Sequence, residues 1–197
     1  RASKIAEEVN VAACRERGVP ILRRHSGGST VVAGPGCLMY AVVLSYETRP
    51  ELQMIDQAHR FVLETLAGGL REVVPEIQRA GISDLTLAGG LKCSGNALRC
   101  GRTHLLYHGT LLYDFPLPLI GEILLEPPRQ PDYRQRRRHG QFITNLSASR
   151  EGLRDALISA WQTANDEPLP PLEQWPVART RQLAQERYGS HDWNWQR

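Results

Sequence analysis

The residues best suited to chemistry begin in a glycine-rich stretch, residues 21–36, with the sequence ILRRHSGGSTVVAGPG. Arg24 stands just before the Ser-Gly-Gly-Ser-Thr run, and its planar, permanently charged guanidinium suits a phosphate or a carboxylate. Glycines let the backbone approach a ligand closely and point its N–H groups at it. The pattern therefore predicts an anion-binding hairpin whose short strands are residues 21–22 and 31–32. A plain hairpin with solvated arginines explains the same pattern, and the sequence is neither a P-loop nor GxGxxG.

A second cation, Lys92, stands at the end of a predicted strand, between two glycine-containing turns. Together with Arg24 it would direct two positive charges at one anionic group. Such a pair suits a carboxylate that is being activated as a mixed anhydride, or an acyl carbonyl whose developing negative charge needs stabilising. His108, on a later predicted strand, would add a polar wall. A solvated lysine and a structural histidine are the alternatives that the residue types leave open.

The four cysteines show no CxxC pair and no zinc-finger spacing, so we expect reduced thiols, no metal ligands and no disulfide framework. They are Cys14, Cys37, Cys93 and Cys100. A thiolate could accept an acyl group if nearby cations lowered its pKa. Cys93 follows Lys92 directly, so its side chain should point to the opposite face of the strand. Cys100, near Arg99 and Arg102, is the better-placed nucleophile, unless all four thiols only pack.

Length and composition indicate one soluble globular domain. The chain has 197 residues, 41% of them apolar, and a formal net charge of +3. No apolar run approaches the roughly 18–20 residues of a membrane span, and no signal peptide is visible. The basic run at residues 134–139 is a solvated loop, a nucleic-acid patch or a docking surface for an acidic partner, and the single aromatic beside it gives stacking on bases little support. We expect a cytoplasmic protein that binds neither nucleic acid nor membranes. Because the chain opens on Arg1, we also expect residues upstream of it.

The elements that must position these residues alternate without the regular period of a βαβ fold. Helices are predicted at residues 3–17 (capped by Ser3), 50–68 (closed by Gly68 and Gly69), 118–125, 149–164 and 176–188; strands at 37–47, 84–92 as a hairpin, and 103–115; a surface loop at 126–141; and a linker at 167–171. This pattern predicts an α+β single domain with mixed or antiparallel sheets flanked by helices.

Four segments in order give the chain a resemblance to the lipoate–protein ligase A-type family, within the biotin/lipoate protein ligase and octanoyltransferase superfamily. RRHSGGSTV resembles the family's loop over the acyl-adenylate, and LKCSGNALR resembles the segment whose lysine contacts the activated acyl group. YHGTLLYD resembles its His-Gly-Thr-Leu-Leu strand, and RRRHGQFITNL with the late YGSHDWNW resembles its Asn-Leu helix entry and closing Trp-rich segment. The resemblance covers nearly all of residues 1–197 and implies a class II biotin/lipoate-ligase-like catalytic domain.

The resemblance also implies a reaction: lipoate or octanoate is joined through an acyl-AMP, made from ATP and Mg²⁺, to a lysine of a lipoyl-domain protein. Lys92 would be the catalytic residue. The implied substrate-binding residues are Arg24, Ser26, Gly27, Gly28, Ser29, Thr30, Lys92, Ser94, Gly95, Asn96, Ala97, His108, Gly109 and Thr110. The implied partners are the lipoyl-domain acceptor, whose acidic surface would dock on the arginines of residues 134–138, and a separate accessory subunit or an acyl-carrier protein.

The chain departs from the family pattern at several positions. Ser29 replaces a third glycine, Ala33 replaces a usual histidine, and Cys37 replaces an asparagine or glutamine. The chain ends just after Trp195, so we expect no C-terminal accessory domain. Two alternatives follow: an ATP-independent octanoyltransferase fed by an acyl-carrier protein, and a non-catalytic acyl-binding homologue. Such transferases carry their cysteine at one of two positions, and neither position is a cysteine here. This argues against the transferase, unless Cys93 or Cys100 substitutes.

Overall fold

Five antiparallel strands form the sheet at the centre of the computed structural model, which describes residues 3–161 and 171–196. They are β1 (Cys37–Ser45), β2 (Gln78–Ala80), β3 (Asp84–Leu87), β4 (Leu91–Cys100) and β5 (His104–Leu112), in the spatial order β1-β5-β4-β3-β2. Short turns join β2 to β5 in succession, and β1 pairs with β5 along its whole length. The predicted α+β class with an antiparallel sheet is confirmed, and β2 is an additional strand.

Helices pack around this sheet. Those in the described residues are α1 (Ile5–Glu8), α2 (Val11–Glu16), α3 (Ile55–Leu70), α4 (Leu117–Ile123), α5 (His139–Phe142), α6 (Arg150–Ala160), α7 (Val177–Leu183), which a π-helical turn (Ala184–Tyr188) continues, and α8 (His191–Asn194). The predicted helices after residues 50, 117, 149 and 176 are confirmed, while residues 162–164 and most of the predicted linker lie outside the described residues. Within that part of the chain, no helix is both long and apolar enough to cross a membrane.

The main core lies between one face of the sheet and the helices α3 and α6. Alternate residues of β5 (Leu105, Tyr107 and Leu111) are fully buried there, since successive side chains of a strand point to opposite faces. The apolar stripe of α3 supplies the other side of this core, as its helical spacing predicts. The residues between the buried ones on β5, which include His108 and Thr110, are therefore free to line a site on the opposite face.

The end of α3 differs from the prediction that Gly68 and Gly69 close the helix. The helix continues through both glycines to Leu70. A Cβ on Gly69 would overlap Ala160 of α6, whereas a Cβ on Gly68 would meet nothing within 4 Å. Gly69 is therefore present because α3 and α6 approach closely at this point, and it does not end the helix.

This pair of glycines gives a matched test of the helix packing. We expect Gly69→Ala to lower the free energy of unfolding by about 1–3 kcal/mol, because the added methyl group overpacks the contact with α6. We expect Gly68→Ala to raise it by up to about 1 kcal/mol, because alanine restricts the unfolded chain more than glycine does. Urea denaturation of both variants measures the two effects, and equal changes would contradict the assigned helix contact.

The N-terminal region is two short helices, where the sequence predicts one. The chain leaves the helical path at Val9, which forms a bridge to Leu124, and the N–H of Asn10 donates to the Ile123 carbonyl over 2.8 Å. The Asn10 side chain then caps α2. Ser3 does not cap α1, since its hydroxyl donates to the carbonyl of Gly28 instead. These helices and α4 form a second, smaller core.

Candidate functional site

The residues that the sequence analysis singled out meet on the face of the sheet opposite α3. Eleven of the fourteen line one depression, which we call the polar cleft: Arg24, Gly28, Ser29, Thr30, Lys92, Gly95, Asn96, Ala97, His108, Gly109 and Thr110. The other three lie close by. Ser26 bonds His108, the Gly27 carbonyl accepts from Arg24, and Ser94 borders the neighbouring cavity. The structure thus brings the predicted residues together, and their chemical roles stay predictions.

A second depression adjoins the polar cleft, and we call it the apolar cavity. Its lining includes Val32, Leu112, Ile120, Leu124, Phe142 and Ile143. Lys92, Ser29 and Thr30 line both depressions, so they stand where the two meet. A ligand with an apolar chain and an anionic head would find a matching surface for each part. The chain would lie in the cavity and the head would lie beside Lys92.

Lys92 is held by groups from neighbouring elements. Its ammonium pairs with the Asp84 carboxylate over 2.8 Å, and its side chain is 27% exposed. The Tyr133 hydroxyl donates to the other carboxylate oxygen of Asp84 over 2.6 Å. Burial and the charge of Asp84 raise the pKa of Tyr133, so this tyrosine remains a donor. The result is a lysine whose position is fixed before any ligand arrives.

Asp84 is a site residue that the sequence analysis missed. The sequence did contain a signal for it. In a hairpin over residues 84–92, the acidic residue Asp84 at one end lies across from the basic residue Lys92 at the other. Asp84 pairs with Gly95, and a register shift after Leu85 brings its carboxylate to Lys92.

The glycine-rich stretch is an irregular loop, so its predicted short strands are wrong: residues 21–22 and 31–32 have no strand structure. Arg24 folds back onto this loop. Its guanidinium donates to the Ser26 hydroxyl (3.1 Å) and to the carbonyls of Gly27 (2.6 Å) and Ser29 (2.9 Å). Arg24 therefore borders the polar cleft while also fixing the course of the loop. The expectation of a guanidinium free for a ligand needs that correction.

The N-terminal helix α1 also holds the glycine loop. The N–H of Thr30 donates to the carboxylate of Glu8 over 2.6 Å. Glu8 itself is buried and borders the apolar cavity. The glycine loop is thus held by a contact with α1 as well as by Arg24.

His108 stands in the wall of the polar cleft. Its Nε2 lies 2.6 Å from the hydroxyl of Ser26, so the histidine connects β5 to the glycine loop. Burial and the positive charge of Arg24 lower the pKa of His108, which keeps the imidazole neutral near pH 7. A neutral imidazole can accept a proton.

The strand beside His108 admits only glycine at position 109. A Cβ there would overlap the Asn96 side chain and crowd the Tyr40 ring. Asn96 in turn donates to the Ser83 carbonyl (2.8 Å) and to Ser94 Oγ (3.1 Å). These contacts lie on the core side of the strands and hold the backbone that lines the cleft.

None of the cysteines borders the polar cleft or the apolar cavity among the described lining residues. Cys93 is fully buried in the main core, on the side of β4 away from Lys92 as predicted, and burial raises the pKa of its thiol to about 12. Cys100 is exposed at the far end of β4. The structure therefore does not support Cys100 as a well-placed nucleophile.

The basic run at residues 134–138 is only partly the exposed surface that the sequence predicts. Arg134 is 4% exposed and pairs with Glu126. Arg137 donates to the carbonyls of Gly89 (3.2 Å) and Gly90 (3.0 Å), in the turn just before Lys92. Arg134 is a structural part of the wall of the apolar cavity, because a buried cation needs an ion pair and hydrogen bonds. Arg137 is partly exposed and holds the turn before Lys92. Arg136 and Arg138 remain exposed.

Comparison with known proteins gives sequence likenesses to a ligase and to an amidotransferase. The chain is 25% identical over 200 residues to the lipoate-protein ligase LplJ of Bacillus subtilis, covering 97% of this chain and 59% of that protein. It is 30% identical over 124 residues to the human mitochondrial lipoyl amidotransferase LIPT1, covering 61% of this chain and 31% of that protein. The chain thus spans from about a third to three-fifths of these relatives.

Solved structures and a family model agree with this result. A bi-partite lipoate protein ligase of Thermoplasma acidophilum, studied with its E2 lipoyl domain, superposes with a TM-score of 0.78 at 20% identity, covering 98% of this chain and 77% of that one, which shows a shared fold. The family model described as the lipoyl protein ligase A/B catalytic domain matches residues 1–160. With most of its length matched, this chain belongs to the lipoyl protein ligase A/B catalytic domain family.

Proposed function

We propose that this chain is the catalytic domain of an ATP-dependent lipoate–protein ligase, which joins lipoate or octanoate through an acyl-AMP to a lysine of a lipoyl-domain protein. The observation that carries the proposal is the position of Lys92, where the apolar cavity meets the polar cleft. The name of the B. subtilis relative is that of a ligase. The T. acidophilum ligase is bi-partite, which makes a separate accessory subunit part of the proposal.

Each depression has one task in this proposal. The apolar cavity binds the hydrocarbon chain, and burial of about 25 cal/mol per Å² of apolar surface supplies the affinity. The N–H groups of the glycine loop and the charge of Arg24 suit a phosphate. The carboxylate attacks the α-phosphorus of ATP and pyrophosphate leaves; AMP then leaves from the acyl group when the acceptor amine attacks. We propose that Mg²⁺ enters bound to ATP, since the described residues form no group of three or more His, Cys, Asp or Glu side chains that could hold a metal ion.

Lys92 and His108 act on the acyl group and on the acceptor. Lys92, oriented by Asp84, donates to the acyl carbonyl and stabilises the negative charge that forms as the acceptor amine attacks. His108 is neutral and lines the same cleft, so it can take the proton that the attacking amine loses. The acceptor lysine is the nucleophile, and the enzyme requires none of its own.

Titration calorimetry with a non-hydrolysable octanoyl-AMP analogue tests this proposal without requiring adenylation. We expect binding that octanoate and ATP weaken by competition, because the analogue would fill both the apolar cavity and the polar cleft. An analogue that binds no better than octanoate alone would contradict the assignment of the polar cleft to the nucleotide.

An ATP-independent octanoyltransferase that takes its acyl group from an acyl-carrier protein is the second candidate, and the human relative is named an amidotransferase and not a ligase. A transferase that forms an acyl-cysteine needs a thiolate at the site, and the absence of a cysteine among the described residues that line the two depressions supports the ligase.

We therefore expect three cysteine variants to transfer acyl groups to a lipoyl domain at rates within about twofold of the wild-type rate, when the rates are compared at equal concentrations of folded protein. The variants are Cys37→Ser, Cys93→Ala and Cys100→Ser. Alanine is used at position 93 because a buried hydroxyl would lose most of its hydrogen bonding. Initial rates measured by mass spectrometry check the expectation. The loss of nearly all activity in one of the variants, with the fold intact, would favour the transferase.

A further inference from the structure

The segment at residues 187–195, which we call the latch, returns from the C-terminal part of the chain to the start of the glycine loop. The Asn194 side-chain oxygen accepts from the N–H of Arg23 over 2.7 Å. The indole N–H of Trp193 donates to the carbonyl of the same Arg23 over 2.8 Å. Both polar backbone groups of Arg23 are thus bonded to two successive residues of the latch. Two latch side chains thus make the hydrogen bonds with Arg23 that a neighbouring strand would otherwise make through its backbone.

The latch also binds the residue on the other side of Arg24. The Trp193 ring stacks on the His25 ring with centroids 5.8 Å apart and planes 12° apart. The Tyr188 hydroxyl lies 3.3 Å from Nδ1 of His25. The Arg187 guanidinium covers the Trp193 ring at 4.3 Å from its centroid. Arg24 is therefore flanked by two residues that the latch holds.

Asn194 joins the latch to the loop. It is 5% exposed, although asparagine is usually a surface residue. Its side-chain N–H₂ group donates to the carbonyls of Tyr188 (2.9 Å) and Ser190 (3.0 Å) within the latch, and its oxygen accepts from the loop. Every polar function of this amide is used. A buried, fully satisfied amide of this kind specifies one geometry, because any shift leaves a buried group unpaired.

The glycine loop depends on such contacts because the described part of it contains no strand. Arg24 fixes the tip of the loop through Ser26, Gly27 and Ser29, but the position of Arg24 depends on the backbone at Arg23 and His25. We infer that the latch positions the glycine loop for its anionic ligand, with Trp193 and Asn194 as the positioning residues. This inference rests on the proposed function for the identity of the ligand, which is an acyl-AMP. Since coupling between two sites is reciprocal, the ligand must also tighten the latch.

Two matched tryptophan variants test the inference. Trp193→Phe keeps an aromatic ring beside His25 and removes the N–H that donates to Arg23. Trp195→Phe makes the same chemical change two residues further along the chain, where Trp195 stacks on His191 at 5.7 Å. We expect the Kd for the octanoyl-AMP analogue to rise about fivefold in Trp193→Phe, the effect of one hydrogen bond, and less than twofold in Trp195→Phe. We expect a larger rise in Asn194→Ala, which leaves the N–H of Arg23 without its partner.

Amide hydrogen exchange separates failure of this inference from failure of the proposed function. In the free protein, we expect residues 23–30 to exchange faster in Trp193→Phe and Asn194→Ala than in Trp195→Phe, and this comparison needs no ligand. In the wild type, we expect the analogue to slow exchange in residues 187–195. Equal loop exchange in the two tryptophan variants would overturn the latch, whatever the ligand. A wild type that does not bind the analogue, but whose loop responds as expected, would overturn only the proposed ligand.

Discussion

Replacing Lys92 with methionine is expected to lower the rate of acyl transfer to a lipoyl domain by about 100-fold or more, the effect typical of removing one donor to a developing oxyanion. Methionine keeps most of the length of the side chain and removes only its charge and its donors. The loss should fall on kcat, because the ammonium contributes most when negative charge forms on the carbonyl. Single-turnover rates from pre-formed octanoyl-AMP measure the effect on transfer directly.

Two further variants interpret this result. Lys4→Met alters the only other lysine of the chain, which pairs with Glu7 on the exposed surface, and should leave the rate unchanged. Lys92→Arg keeps a cation beside Asp84, so the fold should persist if the loss of the ion pair destabilises Lys92→Met. Acyl transfer by Lys92→Arg should still be slow, because the bulkier, planar guanidinium does not place a donor where the ammonium was. A rate within threefold of wild type in well-folded Lys92→Met would contradict a catalytic role for Lys92.

Arg24→Lys is expected to weaken binding of the octanoyl-AMP analogue by between about 10-fold and 100-fold, as the loss of one or two charge-assisted hydrogen bonds would do. The guanidinium bonds three loop groups at once, Ser26, Gly27 and Ser29, and an ammonium on a flexible chain cannot span them. The net charge stays the same. The expected loss therefore reports the geometry of the loop, and calorimetry measures it.

The matched control for this variant is Arg15→Lys, in an exposed position of α2. It should bind the analogue as the wild type does. Binding by Arg24→Lys as tight as that of the wild type would show that Arg24 acts only through its charge, and the loop geometry would then be irrelevant to binding.

Much of the fold could be predicted because its elements carry local signals. His108 was predicted on a strand, as a polar wall of the site, and the hairpin predicted at residues 84–92 placed Lys92 near a turn. The prediction for Gly69 failed because its role depends on Ala160, a residue far away in sequence. Glycine favours both helix ends and close helix contacts, and only the tertiary structure distinguishes the two.

The site was less predictable where its partners come from distant segments. The burial of Arg134 depends on Glu126 and on the ring of Phe142, so a run of arginines resembled a solvated loop. The single helix predicted at residues 3–17 was interrupted by contacts between Asn10 and α4. The contacts of Trp193 and Asn194 with Arg23 join residues about 170 positions apart. No local pattern carries information over that distance.

Use of ATP for acyl transfer distinguishes the proposed ligase from the transferase. The most direct measurement is the intact mass of a purified lipoyl domain after incubation with this protein, octanoate or lipoate, and Mg·ATP. A parallel incubation supplies octanoyl-carrier protein without nucleotide, and a third supplies synthetic octanoyl-AMP, so that a missing accessory subunit does not hide the transfer step. We expect an acylated lipoyl domain with ATP or with octanoyl-AMP and an unchanged one with the carrier protein. Acylation from the carrier protein alone, or no acylation even from octanoyl-AMP, would contradict the proposed function.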